Sequence, residues 1–478
     1  MAKRKRSTFE RLRSGEMNRR ERRQWQRRLS LPDPGLEVVH PDAGGIDIGN
    51  ASHFVAVPAD RDERPVQEFG SWTADLQRMA AWLKPCRIRT VALQSTGGYW
   101  IAVMEVLEKE GIEVYLVNAR GTKNLPGRKS DVQECQWLMK LHTYGLLRNS
   151  FRPPEEVRAV RTVWRQRERL VQEAGRAVQQ MPKALTTMNV QLANAVSDIS
   201  GVTGMAIIRA ILAGVRNPGE LAQLRDRRIA ASEEEIAHSL AGNWREDVLF
   251  ELRQVVEAYD FYQKQMAACD RELQKYMAAL PDAKIPAPGE ATTPPSEEQH
   301  QSPYRPRKNQ PTFDLGPELK RTLGVDLTTI DGIDVLTAQV ILTEVGPNLG
   351  AFPTEDHFSG WLQLVLRRDI SGGKVIRHVK PEGRNRVANA LRMAAQALSR
   401  SQSYLGARYR SLRGRQGGPK AVKAMARYLA CLVYRLLTKG QAYVDRGAAH
   451  YESKRQEREK VALQRKAAEL GYQLVPAV

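Results

Sequence analysis

Apolar residues fall into short runs between residues 38 and 118 and into helical spacing beyond them. Residues 40–49 end in Gly-Gly-Ile-Asp-Ile-Gly, an apolar run around one acid, which predicts a buried strand. Residues 52–57 read as its hairpin partner and residues 66–72 as a third strand. Thr73 opens an amphipathic helix in which Leu76, Met79, Ala80 and Leu83 share a face. A fourth strand over 89–94, a second helix over 99–110, a fifth strand over 114–118 and a third helix over 131–147 complete the series.

The order β-β-β-α-β-α-β-α predicts an α/β domain of RNase H-like (RuvC-like) fold over residues 37–150. Two long, charged helical stretches, 155–188 and 232–280, predict a helical or coiled-coil arm over 151–280. Such an arm serves oligomerisation or lies along a nucleic-acid duplex. Residues 281–318 hold Pro286, Pro288, Pro294, Pro295, Pro303, Pro306 and Pro311 with little apolar content, the composition of a disordered linker. Residues 319–440 return to globular helical patterning, a mostly α C-terminal domain, and residues 441–478 read as a charged C-terminal helix.

Charge narrows the function. The 478 residues carry 74 Lys and Arg against 54 Asp and Glu, a net charge of +20. That balance draws polyanions, and a nucleic acid is the usual one for a soluble chain; a ribosome-associated or merely basic protein fits charge alone. Residues 1–36 form a basic arm: the first thirty hold twelve Lys or Arg and three Glu, without the apolar run of a secretory leader. No stretch is apolar enough to span a membrane. The four cysteines are far apart and lack CxxC spacing, which fits a reducing cytoplasm and disfavours a cysteine-bound zinc. The expected setting is cytoplasmic, bacterial and nucleoid-associated.

Four side chains form a candidate site. Asp47 ends the first strand and Gln94 the fourth, and these strands are neighbours in the expected fold. Asp131 and Glu134 lie at i and i+3 at the head of one helix, hence on one face. Converging oxygen ligands of this kind suit Mg2+ and two-metal phosphodiester chemistry. Taken singly, a strand-end acid and an acidic helix start are commonplace.

Longer motifs surround these residues: Gly45-Ile-Asp-Ile-Gly49, Gln94-Ser-Thr-Gly-Gly-Tyr-Trp100, Leu125-Pro-Gly-Arg-Lys-Ser-Asp131-Val-Gln-Glu134, Tyr144-Gly-Leu-Leu147, Ser200-Gly-Val-Thr-Gly204 and Ile211-Leu-Ala-Gly214. In this order they resemble the insertion-sequence 110 transposases, in particular the 1111 subgroup, from about residue 44 to the C-terminus. The resemblance implies a DEDD-type, RNA-guided recombinase. Asp47 and Asp131 match the first and third acids of the signature, Glu134 stands where the fourth Asp is usual, and Gln94 stands where Glu is usual. An amide oxygen can still coordinate magnesium, but it brings no charge.

In the family so resembled, the serine matching Ser371, in Ile370-Ser-Gly-Gly-Lys374, is the nucleophile that joins a DNA strand end. Taken by itself the segment reads rather as a glycine turn with a solvated serine. Residues 363–369, Gln-Leu-Val-Leu-Arg-Arg-Asp, replace a stretch the family fills with Gly, Cys, Pro and Asn. Drift in an inactive copy and tolerated variation both fit that change. Expected nucleic-acid contacts are Arg128 and Lys129 before the third helix, Lys374, Arg377 and Lys380 after the serine, and Gly332. Gly332 lies in Ile330-Asp-Gly-Ile-Asp-Val335, which reads as a helix-hairpin-helix turn or as an ordinary glycine connection. Tyr404 and Tyr409, among arginines, read as core.

The expected activity is excision and integration of a mobile element, on DNA element ends and target, by a homodimer or homotetramer guided by a noncoding RNA. A Holliday-junction nuclease and a non-catalytic nucleic-acid-binding derivative of a transposase are the alternatives.

Overall fold

A computed structural model describes residues 24–25, 27–29, 31, 34–94, 97–118, 130–283, 306, 308–365, 367–371, 374–379, 385–440, 447–473 and 475. Arg128, Lys129, Lys380, the first 23 residues of the basic arm and residues 284–305 of the proline-rich segment lie outside them. The chain divides into two compact units, one of residues 1–152 with 366–381, the other of residues 153–365 with 382–478.

The first unit is a mixed α/β sheet domain. Its strands β1 (Ala43–Ile48), β2 (Ser52–Ala56), β3 (Val66–Gly70), β4 (Thr90–Gln94) and β5 (Glu113–Val117) lie in the order β3-β2-β1-β4-β5. The β1-β2 and β2-β3 pairs are antiparallel, while β1-β4 and β4-β5 are parallel. Strands β1 and β4 are the central pair, covered on both faces, which is why their sequences read as near-continuous apolar runs.

Alternation along the strands sends Ile46, Val55, Val91 and Leu93 to one face. There they meet Leu76, Met79 and Leu83 of helix α1 (Thr73–Leu83), with Val103, Met104 and Leu107 of α2 (Trp100–Lys109). The opposite face carries Ala92 and Val117 against Leu138, Leu141 and Tyr144 of α3 (Asp131–Thr143) and the residue after it. Leu29, in the sequence-defined basic arm, is buried in this second core. Leu138 and Leu141 each contribute roughly 1.5–3 kcal/mol by burial, which holds an otherwise polar helix on the sheet. Thr90 Oγ1 and His142 Nε2 lie 2.9 Å apart, a buried tie between β4 and α3.

Residues 366–381 of this unit form a two-stranded antiparallel hairpin, β6 (Arg367–Ser371) and β7 (Lys374–Val379), with a register shift at Asp369/Ile370. Gly372 and Gly373, between the two strands in sequence, lie outside the described residues.

The second unit is mostly helical. Helices α4 (Arg158–Thr187) and α9 (Glu246–Ala278) pack antiparallel, with Leu170 and Ala174 beside Met266, and Ala177 to Leu185 beside Val248 to Val256. Buried positions on α4, from Val160 through Trp164, Arg167, Leu170, Ala174, Ala177 and Met181, recur at spacings of three or four, as along a coiled-coil seam. Short helices α5 (Leu192–Ala195), α6 (Val202–Leu212), α7 (Pro218–Ala222) and α8 (Glu233–Ser239) close the far end around Ile207, Ile208, Ile211, Leu221 and Ile236.

One seam position is ionic. Arg167 and Asp270 are 5% and 2% exposed and pair across the helices. Asp270 Oδ2 also accepts from Thr312 N–H at 3.0 Å, and Arg167 Nη1 donates to the Asn309 carbonyl at 2.9 Å. Lys308 Nζ donates to Asp198 at 2.9 and 3.0 Å and to Ser200 Oγ at 2.7 Å. Residues 308–312, in the proline-rich stretch, are therefore tied to the helix pair.

Helices α10 (Leu315–Leu323), α11 (Val335–Val345), α12 (Glu355–Trp361), α13 (Arg386–Ala397), α14 (Tyr404–Gln416), α15 (Gly418–Lys439) and α16 (Gly447–Glu469) complete this unit. Glu344 on α11 is nearly buried and is held by Arg165 of α4 through bonds of 2.8 and 2.6 Å, with Arg161 at 3.1 Å. Among the described residues, no helix is long and apolar enough to cross a membrane.

Candidate active site

Strand pairing puts Asp47 and Gln94 side by side as Cα partners at the carboxyl ends of β1 and β4. Side chains alternate along a strand, so Gly45 and Asp47 share a face, as do Ala92 and Gln94. Gly45 fixes which face that is: a Cβ there would stand 2.2 Å from the Cys135 carbonyl oxygen and 2.3 Å from the Met139 amide nitrogen. Only a hydrogen at residue 45 lets the backbone of α3 lie on β1. Ala92 packs in the same core as Leu138, so Gln94 projects to the α3 side as well.

Ser130 caps α3, its hydroxyl accepting from Gln133 N–H at 3.4 Å. The helix thus starts at Asp131, and its first turn carries Asp131 and Glu134. The three carboxylates share one electrostatic site. Burial raises the Asp47 carboxyl, and the charges of Glu134 and Asp131 raise it further, to about 6. Cys135, one residue past Glu134, is buried, and burial pushes its thiol up to about 12, the behaviour of a packing thiol. The sequence reading did not single it out; its position four residues after Asp131 was the available signal.

Gln94 is buried. The turn after it brings Trp100 Nε1 to the Gly97 carbonyl at 3.0 Å and leaves Tyr99 exposed at the head of α2.

A divalent cation fits this donor set in charge and in hard oxygen chemistry: clustered carboxylates that hold one another's protons are relieved by a cation. No group of three His, Cys, Asp or Glu side chains close enough to form a ready metal cage is found among the described residues. The acids are gathered on one face, short of a closed coordination shell.

Ser371 is the last residue of β6 and pairs with Lys374, the first of β7. Arg377, on β7, is the Cα partner of Asp369. This hairpin belongs to the same compact unit as the acids. The sequence reading saw a glycine turn here but not its strands; Ile370 and Val375–Ile376 around Gly372-Gly373 are the β-branched, two-glycine pattern of a tight hairpin.

Gly332 has φ +89° between a short helical turn and α11, and a Cβ would meet the Ala394 carbonyl at 2.9 Å. Asp331 beside it accepts from Ser401 Oγ at 2.7 Å. The turn is thus packed on the end of α13. Tyr409 is buried in the core as expected, whereas Tyr404 is half-buried, edge-on to Tyr451 at 5.2 Å.

Residues 44–190 match the model of the DEDD transposase domain of the IS110 family. Residues 326–410 match a second one, described as transposase of the IS116/IS110/IS902 family. None of the curated proteins compared matches the chain. These two matches, in that order along one chain and with the first spanning every acid of the site, show an IS110-family transposase.

Proposed function

We propose that this transposase cuts and rejoins DNA through an RNase H-like site made of Asp47, Asp131 and Glu134 with Gln94, acting together with Ser371 as nucleophile. The observation that carries the reading is that Glu134 and Asp131 act electrostatically on Asp47, whose carboxyl is raised to about 6 by burial first and then by those two charges. The strand order β3-β2-β1-β4-β5, with α3 laid on β1, supports the fold assignment. DEDD transposase domains are typically dependent on divalent metal.

Bound at those carboxylates, Mg2+ would neutralise them and draw charge from the scissile phosphate. The chain's own groups do the rest. In the transfer step the Ser371 hydroxyl loses its proton and forms a phosphoester bond to the strand as the phosphorus–oxygen bond to the departing deoxyribose oxygen breaks. That oxygen takes up a proton. Lys374 and Arg377, in the same hairpin, and Lys380, beyond the described residues, would supply the positive charge that holds the phosphate. Arg128 and Lys129, also outside them, precede the acids of α3.

Site choice rests with a noncoding RNA pairing to donor and target DNA, since the chain presents charge but no recognised base-reading module. Two DNA sites held together call for a dimer or tetramer.

The test is cleavage of DNA carrying the element ends by the purified protein with its flanking RNA and Mg2+. The expected product is a covalent protein–DNA adduct that disappears with Ser371→Ala and with Asp47→Ala. Free ends that survive Ser371→Ala would instead identify a junction nuclease. Gln94, an amide at the position beside Asp47, favours one further reading, a DNA-binding derivative without strand cleavage. Tight binding with no adduct under any divalent metal would establish it.

A further inference from the structure

Helices α14 and α15, Tyr404–Gln416 and Gly418–Lys439, hold nine Lys or Arg and no Asp or Glu. Helix α16 packs on α14, and between them lies an open cavity of about 570 Å3. Its floor is made of small residues, Ala407, Ser411, Gly414 and Ala462, so a chain lying in it could approach the helix backbones. Four arginines, Arg410, Arg415, Arg455 and Arg458, wall it.

The two carboxylates at the rim, Glu452 and Glu459, are taken up by Arg455 at 3.1 and 3.7 Å. Among the described residues, Arg410 bonds to the backbone carbonyls of Ser399 and Ser401 and pairs with no acid. Arg415 and Arg458 are exposed and form no ion pair with any described acid. Beyond the cavity, Lys423 of α15 is pushed down by burial and by its neighbour Arg392 on α13, two cations side by side. A cleft lined by one sign of charge focuses its field and raises the local concentration of a counter-charged ligand.

We propose that the α14–α16 groove is a binding surface for the phosphate backbone of duplex DNA, held through Arg410, Arg415 and Arg458. This rests on the transposase reading and extends it to a surface remote in sequence from the acids and from Ser371. Among the described residues that line it, the groove offers no free aromatic face for an unstacked base: its one aromatic ring, Tyr451, is buried edge-on against Tyr404. Single-stranded sites require such platforms. An arginine wall over small residues instead suits a continuous backbone read for charge, without sequence preference.

The test uses the full chain with Arg415→Gln/Arg458→Gln, two exposed side chains outside the core. A control, Arg176→Gln/Arg245→Gln, removes the same charge from α4 and the start of α9. Affinity for an arbitrary DNA duplex is measured against salt concentration. The groove variant is expected to bind about tenfold more weakly at low salt and to lower the salt slope by about 2, equally for unrelated sequences, while the control changes neither comparably. An unchanged slope, or an equal loss in the control, overturns the proposal. So does a loss confined to duplex RNA. Covalent adduct formation by the wild-type protein is followed in parallel. Adduct formed with groove binding unaffected sinks the groove alone, whereas no adduct with the slope lowered sinks the nucleophile reading alone.

Discussion

The α-position of Gly45 faces the carbonyl oxygen of Cys135 so closely that an added Cβ would stand 2.2 Å from it. This contact sets the height of α3 above β1, and with it the separation of Asp131 and Glu134 from Asp47. Gly45→Ala is therefore expected to do more than destabilise. The helix must lift, at a cost of about 1–3 kcal/mol for overpacking against backbone that has no rotamer to change. Strand cleavage should fall further than the folded fraction does. Denaturant unfolding alongside a cleavage assay checks this, and loss of activity only in step with unfolding would count against it.

Asp47 carries a pH signature whose sign is fixed by its shift. Its carboxyl is raised from 3.8 to about 6 in the folded chain, chiefly by burial and then by Glu134 and Asp131. The native state therefore holds a proton that the unfolded chain has released across that window. Stability from this group is full below about pH 4 and is lost as pH rises through 6. The rise is worth about 3 kcal/mol at full effect, and on the order of 1 kcal/mol once screening of a half-buried group is allowed for. In metal-free buffer Asp47→Asn should raise the melting temperature at pH 8 by about 2–4 °C and give no gain at pH 4. Equal gains at both pH values would remove the assignment.

Gln94 is the Cα partner of Asp47, so a carboxylate there joins the same site. Gln94→Glu should tighten divalent cation binding about tenfold, equivalent to about 1.4 kcal/mol. Without metal the same variant should melt earlier than wild type at pH 8, because a fourth charge is added to three. Calorimetric titration with Mn2+ reads the affinity and metal-free thermal melting the stability, and an unchanged affinity would place residue 94 outside the coordination sphere.

Gln363 adopts φ +58° just past the end of α12, where Gln363 N–H bonds to the Gly360 carbonyl and Leu364 N–H to that of Ser359. This is a left-handed helix cap, a position that favours glycine. Gln363→Gly is expected to stabilise the second unit by about 1 kcal/mol, seen as a higher unfolding midpoint with an unchanged denaturant slope. A lower midpoint would mean that the Gln363 side chain contributes more than its backbone costs.

The buried Arg167–Asp270 pair predicts an asymmetry between variants. Asp270→Ala leaves the Arg167 charge buried and the Thr312 N–H without its acceptor, a loss of about 3–5 kcal/mol. The paired replacement Arg167→Met/Asp270→Leu should cost far less, because neither charge is then stranded. A double-mutant cycle by urea unfolding measures the difference, and additive losses would show that the two side chains do not act as a pair.

The element order of the sheet domain was legible because each strand and helix there has a clean period and a clear stop. The five strands and α1 to α3 form close to the limits expected from the pattern. The hairpin around Ser371 was not, because strands of five and six residues interspersed with Arg, Asp and Lys carry no regular apolar alternation. The second long helical stretch was read as one element, yet it is broken at residues 240–245, where Leu240 closes α8 and the chain restarts at Glu246. Helical composition on both sides hid the break, although Ser232 marks the start of the first helix and Gly242-Asn243 is a stop signal just past its end.

What the sequence determined by itself is the set of chemical groups and their local frames. Asp47 stands at a strand end because an apolar run stops there, and Asp131 and Glu134 share a helix face because they are three residues apart. The tertiary structure decided which of those frames meet. The parallel pairing of β1 with β4 aligns Asp47 with Gln94, and the missing side chain at Gly45 lets α3 settle close enough for its acids to act on Asp47. Periodicity reports the face on which a residue lies. It carries no record of register or of how closely two backbones approach, because both are set by packing between segments far apart in the chain.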